Sequence, residues 1–355
     1  MRLMMVTPSV EAGAVGGREQ LSALHRSCLA DLLGKQLTIR RLEPTARQDA
    51  RQVLDVLRGR IDGVTAATEQ AVIDEVAGGG IDTLWLNGTN LGRLAAAVKR
   101  AAPSIQVISV AHNVEARFFL GGLRHRPNPR ALAVLAANTV AERLAVRSSD
   151  RVVALSARDS ELFRRVYRRG ATDLLPMAID DRGVPHATAS GIGDGLLFVG
   201  GAFYANLAGM RWFAGHVAPH LPVITTIVGR GFEAFRAELE AGGKIKVVGG
   251  ADDLAPYYAS ARAVIAPIFD GSGMKTKVAE GLMHGKRVIG TSEAFAGYEG
   301  IAAGVRCDTR AAFISAIRTL DTSPPPRFDG SLRALFEAHY SPQALRRQLT
   351  KILGA

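Results

Sequence analysis

Lys275, Lys277 and Glu280 stand within one short stretch of this 355-residue chain, just behind a glycine-bracketed turn, Gly271-Ser272-Gly273. Two amines and a carboxylate so spaced suit a ligand with both phosphate and hydroxyl groups. Ahead of the turn, the apolar run Ala263 to Ile268 predicts a buried parallel strand, and Arg287 to Ile289 predicts a second strand behind it. Strand, glycine turn, helix and strand form a βαβ crossover. The start of its helix carries no bulky side chain, so unpaired N–H groups and roughly half a positive charge face outward, which suits a phosphate. Glu280, two to three turns further along, is placed to accept hydrogen bonds from ribose hydroxyls. Diphosphate and ribose together describe a nucleotide or a nucleotide-linked sugar. An ordinary glycine turn with a solvated lysine face would use the same residues.

Other positions share this ambiguity. Gly16-Gly17 lies between a first strand and a helix, where backbone can approach a ligand or simply turn. His112 follows a buried strand directly, at the sheet edge where open α/β proteins bind ligands, with Asn113 and Glu115 beside it. A lone histidine there serves a structural role equally well. Gly229 to Ala234 reads GxGxxA after a strand, with Asp252 and Asp253 about twenty residues on, which is a dinucleotide fingerprint of low specificity. Arg230 within it is either a phosphate ligand or a surface charge.

The elements that must carry these residues alternate. Leu3–Val6, Leu37–Arg40, Thr83–Leu86, Val107–Val110 and Val152–Leu155 are predicted strands, with helices over about 19–33, 93–100 and 130–147. The pattern restarts with Leu196–Val199, Ile224–Val228, Ile245–Val248, Ala263–Ile268 and Val288–Ile289, and a last helix runs from about Pro342 to Leu353. Between the halves, Asp180–Gly195 is rich in Gly, Pro and small residues and reads as a linker. Alternation of this kind implies helix-covered parallel sheets in two domains, 1–182 and 183–340, with 341–355 returning to the first.

Hydrophobic content of 47% and charged content of 22% suit a soluble globular protein. No run of 18 apolar residues reads as a membrane span. The apolar N-terminus lacks a cleavage site and reads as a first strand. Cys28 and Cys307 stand far apart without a CxxC, so a reduced, cytoplasmic setting is expected. The net charge of +11 concentrates between Arg117 and Arg169, which holds twelve arginines against four acidic residues. Aromatics are too sparse, and motifs too few, for a nucleic-acid partner. An anionic membrane surface is the better match, through Arg124, Arg126, Arg164, Arg165, Arg168 and Arg169, and arginine-rich composition alone is the competing account. No Asp-x-Asp and no zinc-spaced His/Cys set occurs, so no metal and no cofactor are expected.

The stretch GSGMKTKVAEGLMHGKRVIGT resembles the donor-binding signature of glycosyltransferase family 4, matching it at Gly271, Ser272, Gly273, Lys277, Glu280, Gly285, Val288 and Ile289. The resemblance implies a GT-B fold, two Rossmann-like parallel-sheet domains facing a central cleft. It also implies retaining transfer of a sugar from a nucleoside diphosphate-sugar to a glycan, lipid-linked or small-molecule hydroxyl. Carried over residue by residue, it assigns Glu280 to the ribose, His112 to the donor sugar and Lys277 to the leaving diphosphate. Donor contacts follow from Gly16, Gly17, Gly200, Gly201, Arg230, Gly249, Asp270, Gly271, Ser272, Gly273, Met274 and Lys275. Two departures stand out. The family's Arg and Lys after Gly200-Gly201 are absent from AFYANLAGM, and Ser272 stands where a first glutamate is usual, so Asp270 or backbone N–H groups would take its role. An NAD-dependent oxidoreductase using Gly229–Ala234 and a catalytically silent nucleotide-binding GT-B scaffold are the rival readings.

Overall fold

The computed structural model describes residues 1–9, 16–43, 55–182 and 195–354. The chain divides into two compact units, the first built from residues 1–177 and 345–355 and the second from residues 178–344. Most of the expected linker, residues 183–194, lies outside the described residues.

In unit 1 a six-stranded parallel sheet has the order β2-β1-β3-β4-β5-β6. Its strands are β1 (Leu3–Pro8), β2 (Leu37–Leu42), β3 (Thr83–Leu86), β4 (Gln106–Val110), β5 (Arg151–Ala154) and β6 (Asp173–Leu174). The helices are α1 (Gly17–Leu33), α2 (Ala66–Gly78), α3 (Gly92–Ala101), α4 (Glu115–His125), α5 (Pro129–Ser148) and α6 (Ala157–Tyr167). The central strands read as unbroken apolar runs because both faces are covered. Met4, Val6, Leu84 and Leu86 pack with Val72, Leu94 and Val98 in one core cluster. Val114, Val146, Val152 and Phe163 form another.

Helix starts follow local chemistry where it is present. Thr65 and Thr68 form a reciprocal capping box at α2. Asn128 caps α5 ahead of Pro129, and Ser156 caps α6. By contrast, α4 begins after Val114 with no side-chain cap of its own.

Unit 2 holds a second six-stranded parallel sheet, ordered β12-β11-β10-β7-β8-β9. Its strands are β7 (Leu196–Val199), β8 (Thr225–Val228), β9 (Ile245–Gly249), β10 (Ala263–Ala266), β11 (Val288–Gly290) and β12 (Gly304–Arg306). The helices are α7 (Tyr204–His216), α8 (Arg236–Glu240), α9 (Ala255–Ser260), α10 (Thr276–Met283), α11 (Arg310–Thr322) and α12 (Gly330–His339). A last helix, α13 (Pro342–Leu353), starts in unit 2 and ends in unit 1. Relabelled from its first strand, the second sheet runs 6-5-4-1-2-3, the order of dinucleotide-binding sheets, and its direction reverses between β7 and β10. Ligands of such sheets bind at the carboxyl ends of the strands at that reversal.

Candidate functional site

The loops after β7 and β10 flank the reversal in unit 2, and they carry most of the expected residues. After β7, Gly200 adopts a φ of 143° that only glycine takes readily. A methyl there would stand 2.8 Å from the Asn206 amide nitrogen and 3.4 Å from Lys277 Nζ. Asn206, near the start of α7, donates to the Gly201 carbonyl at 2.7 Å and accepts from Lys277 Nζ at 3.0 Å. The lysine also lies over the Phe198 ring, 5.0 Å from its centroid. One buried amide thus ties the first glycine loop of the unit to the amine of α10.

After β10 the chain forms an open loop before α10. Gly271 and Gly273 have φ of 124° and 65°, so both glycines of the turn are needed by the backbone itself. The Asp270 carboxylate accepts from the Gly271 N–H at 2.7 Å, and Tyr298 OH donates to the Lys275 carbonyl at 2.8 Å. Met274 is buried. Lys275 is the N-cap residue of α10 and not part of its first turn. Its ammonium donates to the Gly273 carbonyl at 2.8 Å and pairs with Glu293 at 3.2 Å. That lysine is spent on holding its own loop, and Lys277 is the amine that faces the glycine pair.

Glu280 sits one turn into α10, closer to the helix start than the sequence spacing suggested. Tyr258 OH donates to its Oε2 at 2.8 Å, and the Tyr258 ring stacks on His284 at 4.3 Å. Burial dominates the ionisation of all these groups. It lowers the Lys277 ammonium to about 8, against the attraction of Glu280. It raises the Glu280 carboxyl, against the Tyr258 hydroxyl, Lys277 and Arg182. It lowers His284 to about 4, helped by Lys286, Arg333 and Arg182.

The Gly229–Ala234 turn lies after β8. Gly229 touches the first loop so closely that a methyl would stand 1.9 Å from the Gly200 carbonyl. Beyond Gly231 the chain makes only a short 3-10 turn and the five-residue α8. Glu233 points back over the second half of the turn, accepting from the Gly250 N–H at 2.8 Å beside Gly249. Backbone N–H groups hold this carboxylate below its ordinary range, so it is anionic. A dinucleotide pyrophosphate needs a helix N-terminus free of negative charge. The fingerprint lacks both features, which argues against the oxidoreductase reading.

In unit 1, Gly16 precedes α1 as its N-cap residue and Gly17 opens it. His112 lies just beyond β4, buried, and neither ring nitrogen has a hydrogen-bond partner among the described residues. It stacks on His25, centroids 5.9 Å apart. Asn87 donates its Nδ2 to Thr7 Oγ1 and accepts from His25 Nδ1, both at 3.3 Å, so His25 carries its proton on Nδ1. Burial lowers His25 to about 4, and burial, Arg18 and His25 together hold His112 well below its ordinary value. A neutral imidazole offers one donor and one acceptor, the complement of a hydroxyl group.

Sequence reasoning missed Asn206, Tyr258 and Glu293. Asn206 did leave a trace, for it and Tyr204 are the polar side chains of AFYANLAGM. Tyr258 and Glu293 lie in separate loops and helices with no local signal. The arginine-rich stretch also divides once folded. Arg169 donates to the carbonyls of Val146, Ser149 and Asp150 at the end of α5, while Arg164 and Arg165 both pair with Glu161.

Residues 193–322 match the family of glycosyl transferases group 1. The second unit is a group 1 glycosyl transferase domain. That match covers the loops of Gly200, Gly229, Gly249 and Gly271 and all of α10. Solved structures extend the likeness to the entire chain. The structure of Anabaena Alr3699/HepE in complex with UDP superposes with a TM-score of 0.68 at 14% identity, covering 100% of both chains. The same protein has been solved with UDP-glucose. An alpha,alpha-trehalose 6-phosphate synthase from Burkholderia multivorans gives 0.66 at 12%, covering 99% of this chain and 96% of the other. The lipopolysaccharide outer core galactosyltransferase WaaB gives 0.63 at 11%, covering 100% and 99%. At these identities the likeness establishes the fold, which is GT-B. No curated protein matches the chain by sequence. With its transferase domain in a GT-B chain, the protein is a glycosyltransferase.

Proposed function

We propose that this glycosyltransferase moves a sugar from a nucleoside diphosphate donor, UDP-linked in the first instance, to a hydroxyl of a glycan or lipid-linked acceptor. Transfer proceeds with retention and without a metal ion. The observation that carries this reading is Lys277, buried beneath the Gly200-Gly201 loop, fixed by Asn206 at 3.0 Å and one turn from Glu280. HepE was solved with UDP and with UDP-glucose, which makes uracil the first donor base to test.

In this scheme Lys277 and the uncapped start of α10 stabilise the charge that develops on the leaving diphosphate. The bond from the anomeric carbon to the phosphate oxygen breaks, and the bond to the acceptor oxygen forms on the same face. The acceptor's proton passes to the leaving phosphate. Glu280, with Oε2 held by Tyr258, offers its other oxygen to the ribose, and His112 serves the donor sugar through its neutral ring. Turnover that survives EDTA fits the scheme, and turnover that needs added magnesium or manganese contradicts it. Glu280→Ala is expected to weaken UDP binding by about 1.5–3 kcal/mol, the range for a charge-assisted hydrogen bond. Calorimetry on the folded variant is the check, and wild-type affinity would remove Glu280 from the site.

A lipid-linked acceptor would bring the protein to a membrane surface at the cytoplasmic face. No helix among the described residues is long and apolar enough to cross a membrane. The turn from α4 to α5 exposes Arg124, Arg126 and Arg130 close to the exposed Leu120 and Leu132. At about 1 kcal/mol per basic residue, three arginines with apolar neighbours give weak, salt-sensitive binding to anionic lipid. Co-sedimentation with phosphatidylglycerol vesicles at low salt should exceed that with phosphatidylcholine. Equal recovery would point to a soluble acceptor.

A further inference from the structure

The start of α4 is held by a side chain from another helix. Val114 gives α4 no cap, yet the first helical N–H groups are not left open. Glu142, in the middle of α5 and fully buried, accepts from Glu115 N at 2.8 Å through Oε1 and from Ala116 N at 3.0 Å through Oε2. Its Oε1 also accepts from Thr89 Oγ1 at 3.2 Å, and its Oε2 from Tyr167 OH at 2.7 Å. Four donors from three places converge on one carboxyl group: the turn after β3, the first turn of α4, and α6. The loop so anchored is Ala111 to Val114, which carries His112.

His112 needs this anchorage. Its ring makes no hydrogen bond among the described residues and is held only by packing and by the His25 face. The direction of the imidazole is therefore set by the backbone beneath it, and that backbone is pinned three and four residues later by Glu142. We propose that Glu142 is a positioning residue that acts through His112, fixing the orientation of the imidazole from outside the site. The proposal rests on the reading of His112 as a donor-sugar ligand, and its test separates the two.

Glu142→Gln keeps the shape of the side chain but turns an N–H toward partners that are themselves donors. Hydrogen exchange of the full chain should then quicken locally, at the amides of Glu115 and Ala116, by tenfold or more, with the rest of unit 1 unchanged. The His112 ring resonances, assigned by loss in His112→Ala, should shift or broaden. Hydrolysis of UDP-glucose should fall about tenfold in kcat with little change in UDP affinity, and that loss should vanish in a His112→Ala background. Unchanged exchange at the two amides would overturn the clamp. Losses that multiply in the double variant would overturn the route through His112. Full activity of His112→Ala alone would instead overturn the reading of His112. Should Glu142→Gln fail to fold, Tyr167→Phe and Thr89→Val each remove one donor. Their smaller losses must likewise disappear without His112, or the proposal fails.

Discussion

Lys277 is a buried amine held by one amide and one aromatic ring, and burial lowers its ammonium to about 8. A diphosphate beside it would favour the charged form, so donor binding takes up a proton whenever the free lysine has lost one. Affinity for UDP should be level from pH 7 to about 8 and then fall, approaching tenfold per pH unit. The phosphate's own second ionisation, near pH 6, lies below that window. Calorimetry across the range should show the fall in the wild type and its absence in Lys277→Met. An equal slope in both would assign the proton elsewhere. At this scale the candidate site is legible wherever its residues share one stretch of sequence. Lys277 and Glu280 stood out because the glycine turn and helix are contiguous. Lys275 read the same as Lys277, since sequence does not reveal that Glu293 and the Gly273 carbonyl claim it. Asn206 is 71 residues from Lys277 and becomes its partner only through the fold.

Between elements, close approach matters more than propensity. Gly92 opens α3 with a φ of −61°, ordinary helical geometry that alanine also adopts. A methyl there would nevertheless stand 2.0 Å from the Ala141 carbonyl and 2.3 Å from Ala145 N, in the backbone of α5. Gly92→Ala should gain up to about 1 kcal/mol in helix propensity and lose more to overpacking, about 1–3 kcal/mol or beyond. Thermal unfolding should therefore show a lower Tm, and a raised one would mean that the two helices part without cost. The neighbour of Ala141 is Glu142, so the same variant should also quicken exchange at the start of α4. Strands were legible as apolar runs because both faces of each sheet are buried, although β10 stops at Ala266, short of the expected Ile268. β12 is exposed throughout and β6 has two residues, so neither leaves an apolar run. α4 escaped notice because its cap lies 27 residues away in sequence, where no local pattern records it.

Across the whole molecule, the two sheets were legible from the restart of the strand pattern, but their differing strand orders were not, since order is a matter of pairing. The strand reversal falls between β1 and β3 in unit 1 and between β7 and β10 in unit 2. Unit 1 is also discontinuous in sequence: residues 345–355 belong to it, with Leu345, Leu349 and Ile352 buried and Arg151 bonded to the Ile352 carbonyl. Each buried aliphatic side chain is worth about 1.5–3 kcal/mol. Deleting residues 345–355 should therefore lower the Tm of unit 1 while unit 2 still binds UDP. Loss of UDP binding together with the fold would show that the units do not stand apart energetically. The same discontinuity sets a timetable. On the ribosome, the first unit to be translated is the last to receive all its parts, because its closing helical turns emerge only after the whole of unit 2. At about 5–20 residues per second, the 167 residues of unit 2 impose a wait on the order of 10–30 s, during which the sheet carrying His112 is exposed to chaperones and proteases in an incomplete form.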